Sequence, residues 1–125
     1  MAKYHAIKNQ YLKSIKNLTE TLAKEKTEER RDSAIKRFEI CFDLAWKTIK
    51  AYMEEYKGTT CASPKECFKE GYRQKIFDYN EIWNEIADER NLAVHTYDEK
   101  FADALYKKLP KFLKLFQELK EKLCG

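Results

Sequence analysis

Ile35, Phe38, Phe42, Ala45, Ile49, Tyr52 and Tyr56 recur at alternating intervals of three and four residues. That period lines one face of an α-helix and would scatter across both faces of a strand. Cys41, Leu44, Trp46 and Met53 widen the stripe until the helix must touch more than one neighbour. The almost unbroken apolar run from Cys41 to Trp46 marks either the centre of a bundle or a surface covered by another subunit. Gly58 is placed to stop this helix.

The rest of the chain repeats the pattern. Tyr4, Ile7, Tyr11, Ile15, Leu18 and Leu22 predict a first helix from about Lys3 to Lys24, and Thr27 is suited to cap the next one. Ser63, Pro64 and Glu66 form the start of a short helix, with the proline where its missing amide costs nothing. Cys67, Phe68 and Tyr72 supply the apolar side of that helix, and Gly71 leaves its end open. Asp78 with Glu81 predicts the next helix start, and Ile82, Trp83, Ile86 and Ala87 form its inner face. Thr96 and Glu99 have capping-box spacing, which starts a final helix near Tyr97. Phe101, Leu105, Leu109, Phe112, Phe116, Leu119 and Leu123 carry that helix inward to the end. Pro110 lies within it and is expected to bend or divide it. With Gly 3 and Pro 2 in 125 residues, punctuation is sparse. The expected fold is all-α, an up-and-down bundle of about five helices, in a single domain over residues 1–125 without internal repeat or linker.

Several classes drop out. The sequence has no run of 18 apolar residues and no apolar leader at its start, so no membrane association and a cytoplasmic location are expected. Cys41 falls on an apolar helix face and reads as a buried thiol. Cys61, Cys67 and Cys124 show no close pair at metal-ligand spacing, so neither a metal site nor a disulfide framework is expected. The formal net charge of +4 is mild. Its late excess, Lys100, Lys107, Lys108, Lys111, Lys114, Lys120 and Lys122, reads first as a solvated helix face and second as a stripe for a phosphate backbone or acidic partner.

The segment Arg90 to Tyr97 is the most unusual. Ile82 and Ile86 point the inner stripe at position 90, where an arginine stands instead of an apolar residue. A buried arginine needs an anion, so Arg90 pairs internally, lines a groove or reaches a subunit interface. His95 lies five residues on, a rotation of roughly 140° and an advance of about 7.5 Å along a regular helix. The two share a site only if the helix ends before His95, or if a two-fold dimer sets one copy's His95 beside the other's Arg90. Taken singly, His95 is also suited to capping or packing, and Tyr97 to a core or interface.

Two stretches carry a family resemblance. One is Arg31-Asp32-Ser33-Ala34-Ile35-Lys36-Arg37-Phe38-Glu39 with Phe42-Asp43-Leu44-Ala45-Trp46-Lys47. The other is Arg90-Asn91 followed by His95-Thr96-Tyr97-Asp98-Glu99. In these the chain resembles the nucleotidyltransferase substrate-binding proteins, a branch of the HEPN superfamily related to the HepT toxins. The resemblance implies a helical homodimer encoded beside a minimal nucleotidyltransferase, with this chain as its accessory substrate-binding subunit. It carries no cofactor of its own; ATP or another nucleotide and Mg2+ are expected in the partner.

In toxin-like relatives the residues matching Arg90 and His95 form a metal-independent ribonuclease site in the dimer cleft. The residue matching Tyr97 accepts a nucleotidyl group that silences it. Such chemistry suits these side chains: His95 moves a proton while the Arg90 fork holds charge on a phosphate, and Asn91 is placed to orient either. RNA is then a candidate substrate, and DNA is not expected. The leading expectation is the accessory subunit, with a ribonuclease toxin and a non-catalytic helical scaffold as alternatives.

Overall fold

The computed structural model describes residues 2–95 and 98–124 and is helical throughout its regular elements. Five helices follow in order among the described residues: α1 (Ala2–Leu22), α2 (Glu28–Tyr56), α3 (Pro64–Arg73), α4 (Ile82–His95) and α5 (Glu99–Cys124). This is the all-α up-and-down bundle that the periodicity demanded. No helix among the described residues is long and apolar enough to cross a membrane.

Helix α2 is the hub and touches each of the other four. Ile35, Phe38, Phe42, Ala45 and Ile49 are buried along it, as are Cys41 and Met53, while Tyr52 is half-buried and Tyr56 exposed. Thr27 caps it by accepting the Arg30 N–H at 3.0 Å. At its other end Gly58 adopts a φ of 63°, which turns the chain so that the Thr59 N–H reaches the Met53 carbonyl. Helices α1 and α5 close the core from the other sides. The Phe38 ring lies 5.6 Å from that of Phe112 and 6.2 Å from that of Phe116. The buried Tyr11 hydroxyl donates to the Phe116 carbonyl at 2.6 Å, so its one polar atom is satisfied inside the core.

Two helix starts differ from expectation, each because a nearer polar group takes over. Helix α4 starts at Ile82 because Asn80 Oδ1 accepts the Ile82 N–H at 2.9 Å; Asp78 instead lies 3.6 Å from Lys122. Helix α5 starts at Glu99 because Asp98 Oδ1 accepts the Phe101 N–H at 2.8 Å. Thr96, assigned that cap from sequence, lies outside the described residues. Glu99, its supposed reciprocal partner, is drawn to Arg31.

Pro110 does not divide α5, which runs through it to Cys124. The proline is exposed, so its ring stands outside the core while Leu109 and Phe112 stay buried.

The short helix α3 starts as predicted, with Ser63 accepting the Glu66 N–H and Pro64 at its first turn. Gly71 lies inside it for a packing reason: a Cβ there would meet the Phe77 ring at 2.5 Å and Ile49 Cγ2 at 3.3 Å. The cysteine expectation is corrected here. Cys61 and Cys67 form a disulfide with their Cα atoms 5.2 Å apart, tying the α2–α3 connection to the first turns of α3. Their sequence separation of 6 gave no sign of this, because only the turn at Ser63 and Pro64 folds the connection back onto the helix.

Candidate functional site

Arg90 lies on α4 four residues after the buried Ile86, and the internal pairing is the alternative it adopts. Its Nη2 is 3.1 Å from Oδ1 and 3.3 Å from Oδ2 of Asp43 on α2. The pair is partly open, with the two side chains 30% and 35% exposed. The Arg90 Nε is buried and has no hydrogen-bond partner among the described residues. A guanidinium held by one carboxylate through one nitrogen keeps donors for a further anion and has its plane fixed by the pair it already makes.

Salt links hold α4 in place around it. Lys108 reaches Glu89 at 2.7 Å and Lys111 reaches Glu85 at 2.9 Å, fastening α4 to α5. Lys65 reaches Asp88 at 2.7 Å, fastening it to α3. Lys108 and Lys111 of the late basic stripe are therefore engaged with the neighbouring helix, while Lys100, Lys107, Lys111, Lys114 and Lys122 are exposed, as a solvated face requires.

His95 is the last residue of α4 and is exposed. The helix does not end before it, so Arg90 and His95 of one chain point roughly 140° apart. Asn91 is also exposed. Between them Ala93 faces the core, while Leu92 and Val94 are exposed large apolar side chains. Tyr97, the expected acceptor, lies outside the described residues.

Arg31 and Asp43 are the contributors that the reading of the sequence passed over. Arg31 is buried, and its guanidinium makes bonds of 2.7 and 3.2 Å to the Glu99 carboxylate, 3.1 Å to Asp103 and 3.0 Å to Asp32. Lys26, then Arg31, hold the Asp103 carboxyl below its ordinary range. This clamp fixes the start of α5 against the start of α2. A signal existed: Arg31 stands four residues before Ile35, on the core stripe, as Arg90 stands four after Ile86. Asp43 is likewise the acidic residue inside the apolar run Cys41–Trp46.

Comparison with known proteins agrees with this architecture. Residues 5–124 match the family described as "nucleotidyltransferase substrate binding protein like". The fold is similar to a crystal structure of a protein from Thermus thermophilus, at 32% identity and a TM-score of 0.83, over 90% of this chain and 98% of that one. Among curated proteins, none matches.

Proposed function

Because this chain belongs to the nucleotidyltransferase substrate binding protein like family, we propose that it is the accessory, substrate-binding subunit of a two-component system, paired with a minimal nucleotidyltransferase encoded nearby. The observation that carries this reading is the second half of α4. Arg90 is anchored by Asp43 with Nε unpartnered among the described residues, and the exposed Leu92 and Val94 lead to His95 at the helix end. Exposed apolar side chains beside an oriented cation make a surface suited to a second copy of the chain and to a protein partner.

In this reading the partner holds ATP or another nucleotide with Mg2+, and Tyr97 is the acceptor. Its hydroxyl oxygen bonds to the α-phosphorus as the bond to the β-phosphate oxygen breaks. Pyrophosphate leaves, and the phenol proton passes to a base of the partner. The product places a phosphodiester anion two residues from His95, where it would offset nearby positive charge. Incubating the co-purified pair with ATP and Mg2+ should add one nucleotidyl mass to the peptide containing Tyr97, and Tyr97→Phe should abolish it. An unmodified chain beside a demonstrably active partner overturns the acceptor role.

The second reading, a metal-independent ribonuclease, is favoured by one feature: His95 is exposed at the helix end. Since Arg90 and His95 of one chain diverge, the site would be shared across a two-fold, one copy giving the proton-transfer group and the other the phosphate-holding fork. Arg90→Ala and His95→Ala should each abolish cleavage of RNA by the purified dimer without dissociating it. Cleavage equal to that of the unsubstituted chain in both variants places the activity elsewhere.

A further inference from the structure

Away from Arg90, at the opposite end of α4, a cavity of about 400 Å³ opens between α3, the following connection and the start of α4. That volume lies in the lower part of the range of small-molecule sites, about 300–1,000 Å³. Aromatic rings make its walls. Phe68 and Trp83 stack with centroids 4.3 Å apart and an interplanar angle of 18°, and Phe77 lies 6.3 Å from each. Tyr72 and Tyr79 complete the wall with rings 5.0 Å apart. These two are 46% and 55% exposed, so neither is held there by core packing. The close approach of Gly71 to Phe77 keeps the wall in place, since a side chain there would displace the ring.

The lining also carries charge of one sign. Lys65, Lys69 and Arg73 line the cavity and no acidic residue lines it, although the Glu81 carboxylate lies beside the Tyr79 hydroxyl at its edge. Lys65 is tied to Asp88 and Arg73 to Glu70, but Lys69 enters no ion pair among the described residues. Asn80 and Asn84 add amides; Asn80 Oδ1 already accepts the Ile82 N–H, which leaves its NH2 group to donate. Flat π-faces with a cationic border and few acceptors select a planar ring that carries an anionic group.

We propose that the α3–α4 cavity binds a small planar aromatic anion of the mononucleotide class, its ring against Tyr72 and Tyr79 and its anionic group toward Lys69. The site stands on this cavity, and it holds whether or not a partner engages Arg90 and Tyr97. Its size and closed floor of packed rings favour a single ring-bearing ligand over a polymer or a helix, which would need an extended groove.

Isothermal titration of the purified chain with AMP, adenosine and inorganic phosphate tests this, with quenching of tryptophan emission as a second readout because Trp83 lines the site. AMP should bind saturably and more tightly than either fragment. Tyr79→Ala, at an exposed position where folding is safe, should weaken AMP and adenosine alike by about tenfold, the scale of one base–aromatic stack. Lys69→Glu should weaken AMP about fivefold, the upper end of exposed charge pairs, and leave adenosine unchanged. Arg90→Ala should leave AMP binding intact. The proposal is overturned if AMP shows no saturable binding at millimolar concentration, or if both cavity variants bind it as the unsubstituted chain does. It is overturned equally if a single-stranded RNA oligonucleotide saturates the chain while AMP does not.

Discussion

The three long helices and the two shorter ones between them are built differently. In α1, α2 and α5 the large side chains disappear: Tyr11, Leu18, Ile35, Phe38, Phe42, Leu105, Phe112 and Phe116 are sealed. Of the largest fully buried side chains among the described residues, Ile86 is the one supplied by α3 or α4. The exposed large apolar residues lean the other way: Tyr72, Tyr79, Leu92 and Val94 fall between α2 and α5, against Ile40 and Tyr56 on α2 itself. Helices α3 and α4 set Phe68, Trp83 and Ile86 into the core and are held further by the Cys61–Cys67 disulfide, by caps and by ion pairs at their edges. The contrast separates two tasks. The long helices are the frame and make most of the core, and the inserted segment, while it sets Phe68, Trp83 and Ile86 into that core, keeps Tyr72, Tyr79, Leu92 and Val94 exposed to ligands and partners.

The sharpest way to break this contrast is to truncate one ring in each region. Phe116→Ala removes a ring packed against Phe38 and Trp83, at centroid distances of 6.2 and 5.7 Å. It should cost about 3–5 kcal/mol in urea unfolding. Tyr79→Ala removes a ring of similar size from an exposed site and should change stability by no more than about 0.5 kcal/mol. Similar midpoints for the two variants would mean that the inserted helices are as integral to the core as the frame.

The frame was legible in the sequence because a long helix announces itself by repetition. From Ile35 to Ile49 every position of the three-and-four stripe is buried, and the stripe fails only at Tyr52 and Tyr56, beyond the last full layer of neighbours. Helix starts were less legible, since several polar residues compete for the same free amides. Asn80 and Asp98 won over Asp78 and the Thr96–Glu99 box by lying nearer or because Glu99 had a stronger partner in Arg31. Arg90 stood out as a cation on an apolar stripe, but its partner Asp43 is 47 residues away, and long-range pairing leaves no local mark. The aromatic cavity was hidden for a similar reason. Phe68, Tyr72, Phe77, Tyr79 and Trp83 read as separate fragments of short elements, and only the turn after α3 brings them onto one wall.

A smaller effect separates the regions without touching any ring. The Cys61–Cys67 bond closes a short loop, for which chain entropy gives about 2 kcal/mol. Replacing both cysteines by serine should lower stability by about that amount. The loss should be local, with amide exchange faster in the connection and α3 while α1, α2 and α5 keep their protection. Uniform acceleration along the chain would show that α3 opens only with the whole bundle, and the two regions would then be one cooperative unit.

The smallest effect tests the turn that makes the cavity. Lys75 has a φ of 61°, in the left-handed region that costs a residue with a Cβ roughly 1–2 kcal/mol. The turn is nevertheless closed by real bonds: the Lys75 N–H reaches the Tyr72 carbonyl at 2.9 Å and the Ile76 N–H reaches Gly71 at 3.0 Å. Lys75 is exposed, so Lys75→Gly relieves the conformation without opening a cavity in the core, and the extra freedom of glycine when unfolded offsets part of the gain. A net stabilisation of about 0.5–1 kcal/mol is expected, read as a higher urea midpoint with slower amide exchange confined to α3 and the turn after it. If the turn orders the cavity wall, the same substitution should tighten AMP binding, because Phe77 is carried two residues beyond the position changed.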